Sequence, residues 1–287
     1  MIYIAFDSKI KIIKKTTLSR YTFIILLILA GEAVFILPFV LARIFRPTFL
    51  TTFDLSNFEL GLCFSVYGIV AFISYFFGGL LADKFKPNVL MASALWLTAI
   101  GGFYMTSVPN LLMLKALYGY WGFTTIFLFW AAMIKATRIW GGLDAQGKAF
   151  GFLDGGRGLV AALFGTMGVV IFSIFIPSAD ALAAGEQSNE AFIRVIFISS
   201  FLVSAVGVLT FFFLKVPEKQ SMQYQVKSIS VKNVKNVLKL PAVWLLMIII
   251  LCAYVGYKFT DVFSLYAKEV MLYDEVDAAK TGTYLLF

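Results

Sequence analysis

Glu32 is a lone carboxylate in the middle of the apolar run from Tyr21 to Ala42. A charge buried in hydrocarbon costs about 3 kcal/mol on insertion scales, so it must face a partner or water, and it marks a functional position by default. A few others share that predicament: Lys115, the pair Asp154 and Arg157, the pair Lys258 and Asp261, and Arg43. The chain has no histidine, and its two cysteines, Cys63 and Cys252, sit separately in apolar runs. Proton chemistry must therefore use carboxylates, partnered by lysine, arginine or tyrosine. There is no metal-ligand spacing, nucleophile–base pair or disulfide framework, so no enzyme, metal site or cofactor is expected.

Each charge has at least two readings. Glu32 sits about eleven residues into its run, near the bilayer midplane at about 1.5 Å per residue. It suits a proton or substrate site, a fixed structural pair, or a neutral acid bonded to a neighbouring helix. Lys115 can reach inward toward Glu32 or snorkel outward to water. Arg157 can pair with Asp154 three residues earlier. Pointed into a cavity, its planar fork would instead bind a carboxylate or phosphate. Arg43, near a run's end, reads as a snorkelling residue.

The elements that position these groups are membrane spans. The chain is 61% hydrophobic and 14% charged, against about half apolar and a quarter charged for soluble domains. Its +8 net charge lies in loops rather than on a basic face, so nucleic acid is not expected as a partner. After Tyr21–Ala42, apolar runs long enough to cross a bilayer occupy Leu60 to Ala82, Val89 to Ser107, Leu111 to Ile134, Phe150 to Ile176, Phe192 to Leu214 and Val243 to Phe263. Another begins near Ala278 and is interrupted at Phe287, which leads to the expectation that the chain is part of a longer reading frame, or a disrupted copy that does not transport alone.

Most of the 24 Lys and Arg residues fall in one alternate set of loops, Lys9 to Arg20, Lys84 and Lys86, Lys135 to Lys148, and Lys215 to Lys239. The positive-inside rule then puts the N-terminus in the cytoplasm. Between Pro217 and Leu240, Val231, Val234 and Leu238 interleave with lysines at helical spacing. This predicts either a helix on the inner leaflet held by anionic lipid or a solvated linker helix. The domain reading is a cytoplasmic segment 1–20, a six-span bundle 21–214, a basic linker 215–241 and the start of a second bundle 242–287. Gly147, Gly151 and Gly155, four apart at the head of the fifth span, read as a helix-packing stripe.

Gly79, Asp83 and Lys84, in the turn between the second and third spans, match the G-x-x-x-D-[RK] opening of the loop motif of the major facilitator superfamily. Lys86, Pro87 and Asn88 depart from the motif's glycine and two bases. Lys115 to Gly119 has the spacing of the superfamily's R-x-x-x-G. The chain from Tyr21 onward therefore resembles that superfamily. Its Asp-Lys-x-x-Pro turn and Leu60-Gly61 are most similar to the organophosphate and anion transporter branches. The glycine stripe lacks the proline that marks the superfamily's antiporters.

The resemblance implies an all-α polytopic helical bundle, with a six-helix half, a seventh helix and the start of an eighth. It implies a monomeric secondary transporter in a prokaryotic cytoplasmic membrane that moves a small solute by rocking two halves about a midplane site. Gly79, Asp83, Lys84 and Arg138 would form the inner gate, with Asp83 pairing Arg138 in one state. Glu32, Lys115, Arg157 and Tyr75 are the candidates for substrate or proton binding. Tyr75 enters because it stands where the organophosphate branch carries a lysine. Anionic solutes are preferred on account of the hairpin, Arg157 and Lys115. A non-transporting sensor or partner subunit is the alternative function.

Overall fold

The computed structural model describes residues 20–142, 144–176, 184–214 and 236–284, without the side chains of residues 184–186. Most of the basic linker, with its expected surface helix, lies outside them. Among the described residues, seven helices are long and apolar enough to cross a membrane: Arg20–Ile44, Asn57–Lys84, Pro87–Met105, Leu111–Gly141, Gln146–Phe175, Gln187–Phe213 and Pro241–Glu269. No strand occurs among the described residues. The seven spans coincide with the seven apolar runs, and the helices extend past them where polar residues tolerate helix. The fourth span, for example, continues through Lys135 and Arg138 to Gly141, because long basic side chains reach the interface from inside a helix.

Local chemistry sets the ends. Ser56 and Glu59 form a capping box at the start of the second span: the Ser56 Oγ accepts from the Glu59 amide (3.2 Å) and a Glu59 carboxylate oxygen accepts from the Ser56 amide (2.8 Å). Asn110 caps the fourth span, its side chain accepting from the Met113 amide at 3.0 Å. Pro87 and Pro241 stand at the first positions of the third and seventh spans, where a missing N–H costs nothing. Gly142 ends the fourth with φ +65°, a left-handed conformation that suits glycine.

The third span packs chiefly on the sixth and the second chiefly on the fourth, with the fifth lying against the fourth and sixth. The first span is the most enclosed, 67% buried over its apolar window, against 0% for the seventh. Trp121, Tyr118, Phe45, Phe49, Phe129 and Phe172 fill the interior. Buried polar groups are cross-bonded between spans: Trp121 donates to the Thr98 carbonyl (3.1 Å), Thr98 meets Thr124 (2.9 Å), and Tyr67 meets Thr125 (2.6 Å). In hydrocarbon such partners are what make a buried hydroxyl tolerable.

Two stretches depart from α geometry. Ile36–Val40 in the first span and Phe123–Trp130 in the fourth are π-helical. Pro38 lies within the first and removes one backbone donor, which favours the wider turn. π segments inside α-helices concentrate at functional sites.

Among the described residues, nothing packs on the glycine stripe. A methyl group at Gly147, Gly151 or Gly155 would meet nothing within 4 Å. The close contact is one residue further on, where a Cβ at Gly156 would fall 2.6 to 3.0 Å from three carbons of Ile28. Four-residue spacing locates a stripe on one face of a helix, but not the direction in which that face points.

Candidate functional site: a buried acid–base pair and its aromatic walls

Glu32 stands at the centre of the 25-residue first span and is 8% exposed. Its Oε2 lies 3.3 Å from the Nε of Arg157 on the fifth span. The approach is an ion pair without an aligned hydrogen bond, and among the described residues that Nε has no hydrogen-bond partner. Asp154, one helical turn earlier, brings Oδ1 to 3.6 Å from Nη1 but is largely exposed. Two rings flank the guanidinium: Phe35 at 5.4 Å and Trp130 at 5.8 Å from its central carbon. Both are placed by the π segments, Phe35 just before the first and Trp130 at the end of the second. Tyr75, on the second span, lies edge-on to Trp130 with ring centroids 6.5 Å apart and is half exposed. Gly31 makes room behind the arginine, since a Cβ there would come within 3.2 Å of its Cδ.

The first, second, fourth and fifth spans thus converge on one charged pair with aromatic walls. Arg157 can offer its remaining N–H groups to an anion, and the rings favour a planar or apolar body beside it. Glu32, Arg157 and Tyr75 are brought together. Lys115 is not. It lies partly buried toward the end opposite the hairpin, close enough to Glu59 to act on it electrostatically, and forms no ion pair among the described residues. A lysine stem cannot cross the several turns separating it from Glu32.

At the hairpin, Asp83 and Arg138 are both exposed and are not paired with each other in this conformation. The contact to the fourth span is made instead by Lys135, whose ammonium donates to the Ala82 carbonyl at 2.7 Å. It satisfies one of the orphan carbonyls at the end of the second span. Lys84 is exposed beside it. Gly79 faces open space, whereas its neighbour Gly78 packs against the carbonyls of Ile126 and Phe127. Lysine rather than arginine makes the contact because position 135 is nearly one turn closer to the bundle than 138.

A second charged cluster closes the opposite end, and here the snorkelling reading of Arg43 is corrected. Arg43 is 6% exposed, and its Nε donates to Asp261 Oδ1 at 2.7 Å. It also donates to the Tyr257 hydroxyl and stacks on that ring. The other Asp261 oxygen accepts from Lys258, whose ammonium also lies over Phe39 and Phe64 at about 5.5 and 5.4 Å. Arg46 donates to the Asp261 carbonyl (3.2 Å) and to Asn57 (2.8 Å). The partners Arg43 and Asp261 are 218 positions apart, and no spacing rule links them. Trp130 and Phe35 are likewise absent from the sequence reading. Their only sequence signal is aromatic character beside spans that carry charge.

The chain is similar to three curated proteins. It is 27% identical over 229 residues to the Escherichia coli (strain K12) inner membrane protein YqcE, covering 79% of this chain and 52% of that one. It is 26% identical over 271 residues to the inner membrane protein YihN of the same organism, covering 93% and 61%. It is 24% identical over 275 residues to the uncharacterized protein MG294 homolog of Mycoplasma pneumoniae (strain ATCC 29342 / M129 / Subtype 1), covering 88% and 56%. The chain therefore spans between half and two-thirds of the length of these relatives. Seven membrane-length apolar helices and two relatives named as inner membrane proteins make this a multi-pass membrane protein. The Major Facilitator Superfamily description matches residues 20–287, from the first described residue of the first span onward, and the chain belongs to that superfamily.

Proposed function

We propose that the protein is part or all of a secondary transporter that carries a small organic anion by alternating access, with a proton taken up at Glu32 as the anion binds Arg157. The observation that carries this reading is the Glu32–Arg157 pair at mid-span, walled by Phe35 and Trp130. Arg157 supplies one positive charge, and Glu32 and Asp154 supply two negative ones. An incoming carboxylate or phosphate would meet the Glu32 charge at close range, in a region where repulsion is poorly screened. Protonation of Glu32 frees the guanidinium and removes that repulsion, so the two binding events favour each other. A transporter is preferred to an enzyme because superfamily membership points to solute movement.

The N-terminus faces the cytoplasm, the chain works as a monomer, and the six spans to residue 214 form one half of a cycle continued by the spans from 242. The hairpin with Gly79, Asp83, Lys84 and Arg138 gates the cytoplasmic end, with Asp83 and Arg138 meeting in another state of the cycle. Arg43 and Lys258 are occupied by Asp261, so they are assigned to closing the opposite end rather than to the solute.

The test is uptake into proteoliposomes of radiolabelled small carboxylates and phosphate esters, driven by a pH gradient or by exchange. Glu32→Gln should abolish gradient-driven uptake and retain exchange, while Arg157→Gln should abolish both. Unchanged pH dependence in Glu32→Gln would remove Glu32 from the proton path. Absence of counterflow for every anion tested would favour a non-transporting sensor or partner subunit.

A further inference from the structure

On the flank of the bundle, at the end opposite the hairpin, the third, fifth and sixth spans leave a cavity of about 300 Å³ lined by Thr106, Phe175, Ile193, Arg194, Phe197 and Ile198. It is apolar except for a hydroxyl and a guanidinium. The Thr106 hydroxyl is already committed to the Phe103 carbonyl at 2.7 Å. That leaves Arg194 as the polar group free to recognise a ligand. The guanidinium stacks on Phe175 at 4.6 Å, and among the described residues no acid pairs with it. Glu190, one turn earlier on the same helix, is exposed but not within ion-pair reach.

The depth of this arginine restricts its partner. It lies two residues after the apolar run of the sixth span begins at Phe192, about 3 Å along the helix, just inside the hydrocarbon boundary. From there a guanidinium reaches up to the level of lipid phosphates. Below it the wall runs on as exposed apolar surface. Phe197 is 54% and Phe201 64% exposed on the sixth span, and Ile100 59% on the third, with Phe103 packed edge-on against Phe197 at 5.5 Å. Such a face on a spanning helix meets acyl chains. A cation at phosphate depth above an apolar cleft is complementary to one end of a lipid and then to the other.

We infer that this cleft is a binding site for a phospholipid with an anionic headgroup, its phosphate held by Arg194 and one acyl chain seated against Phe175, Phe197 and Ile198. The phosphate takes the guanidinium in a charge-assisted, bidentate contact, and the headgroup's net charge compensates a side chain that has no paired acid among the described residues. A zwitterionic lipid offers the same phosphate with its own cation beside it and so binds more weakly.

The test is native mass spectrometry of the purified protein in a neutral detergent, titrated with phosphatidylglycerol or phosphatidylcholine of matched acyl chains. Phosphatidylglycerol should bind about tenfold more tightly, the worth of one charge-assisted contact. Arg194→Gln should abolish the preference while leaving weak binding of both lipids. Ile198→Trp, which fills the cleft, should weaken both. Helicity and elution volume establish that each variant is folded. Excess inorganic phosphate should not displace the lipid, because it lacks the chain that occupies the cleft. Equal binding of the two lipids to the unmodified protein, a preference that survives Arg194→Gln, full binding in Ile198→Trp, or displacement by inorganic phosphate would each overturn the assignment.

Discussion

Replacing Asp261 with asparagine keeps the shape of the side chain and removes the charge that Arg43 and Lys258 share. Arg43 and Asp261 are 6% and 7% exposed, and taking one partner from a buried pair costs about 3–5 kcal/mol, because the other charge is left uncompensated. Two features pull the value to the low end. The Lys258 side chain is 32% exposed and can turn to water, and Arg43 keeps the Tyr257 hydroxyl and ring, worth about 1 kcal/mol. A cost of about 3 kcal/mol corresponds to roughly a hundredfold shift in a local opening equilibrium. The assay is amide hydrogen exchange of the purified protein, read on peptides covering residues 257–269. Asp277→Asn supplies the comparison. Its partner Lys280 lies at 2.6 Å, but both side chains are about half exposed, so exchange there should change by no more than about twofold. Arg43→Gln combined with Asp261→Asn should cost less than the sum of the single changes. Equal exchange in Asp261→Asn and Asp277→Asn, or strictly additive costs, would refute the claim that burial makes the first pair a clamp.

Glycine substitutions on the fifth span should separate by direction. Gly156→Ala drives a methyl into Ile28 and should destabilise by about 1–2 kcal/mol, whereas Gly151→Ala meets open space and should stabilise by about 0.5–1 kcal/mol; the unfolding midpoint of each variant decides. At the hairpin, Asp83→Asn should leave membrane insertion intact and slow transport. Lys135→Met, which removes the donor to Ala82, should speed exchange of the amides at the end of the second span. Unaltered transport in the first variant and unaltered exchange in the second would remove the hairpin from the cycle.

The seven spans were legible because a bilayer imposes length, and an apolar run of that length has few other uses. Their ends were less so. Arg138 and Trp140 extend the fourth span past its apolar part, since neither breaks a helix. The Asp154–Arg157 contact was legible as a three-residue spacing. The approach of Glu32 to Arg157 was not, because it depends on how the first span is rotated against the fifth. Arg43 was misread for a related reason: near the end of a single helix a snorkelling arginine and a clamped one look alike until the seventh span is folded beside it. Gly147, Gly151 and Gly155 form a stripe by spacing, yet only the neighbouring helix determines that Gly156 is the residue under pressure. The π segments left almost no trace in the sequence, because hydrogen-bond register does not alter which residues are apolar; Pro38 was the single hint.

The π segment of the fourth span governs how that span tolerates length changes. Residues before Phe123 and after Trp130 belong to two α-helical stretches whose phases are joined through the wider turns between them. A π turn holds about one residue more than an α turn, so loss of one residue from Phe123–Trp130 would let the span tighten toward α-helix while the later side chains keep their directions. Trp130 would stay beside the Arg157 guanidinium and Lys135 beside the Ala82 carbonyl, whereas the same loss from the α-helical stretch before Phe123 would turn both by about 100° against the start of the span. The octet thus absorbs a change of length that the α-helical stretches on either side would pass on to the mid-span pair and the hairpin.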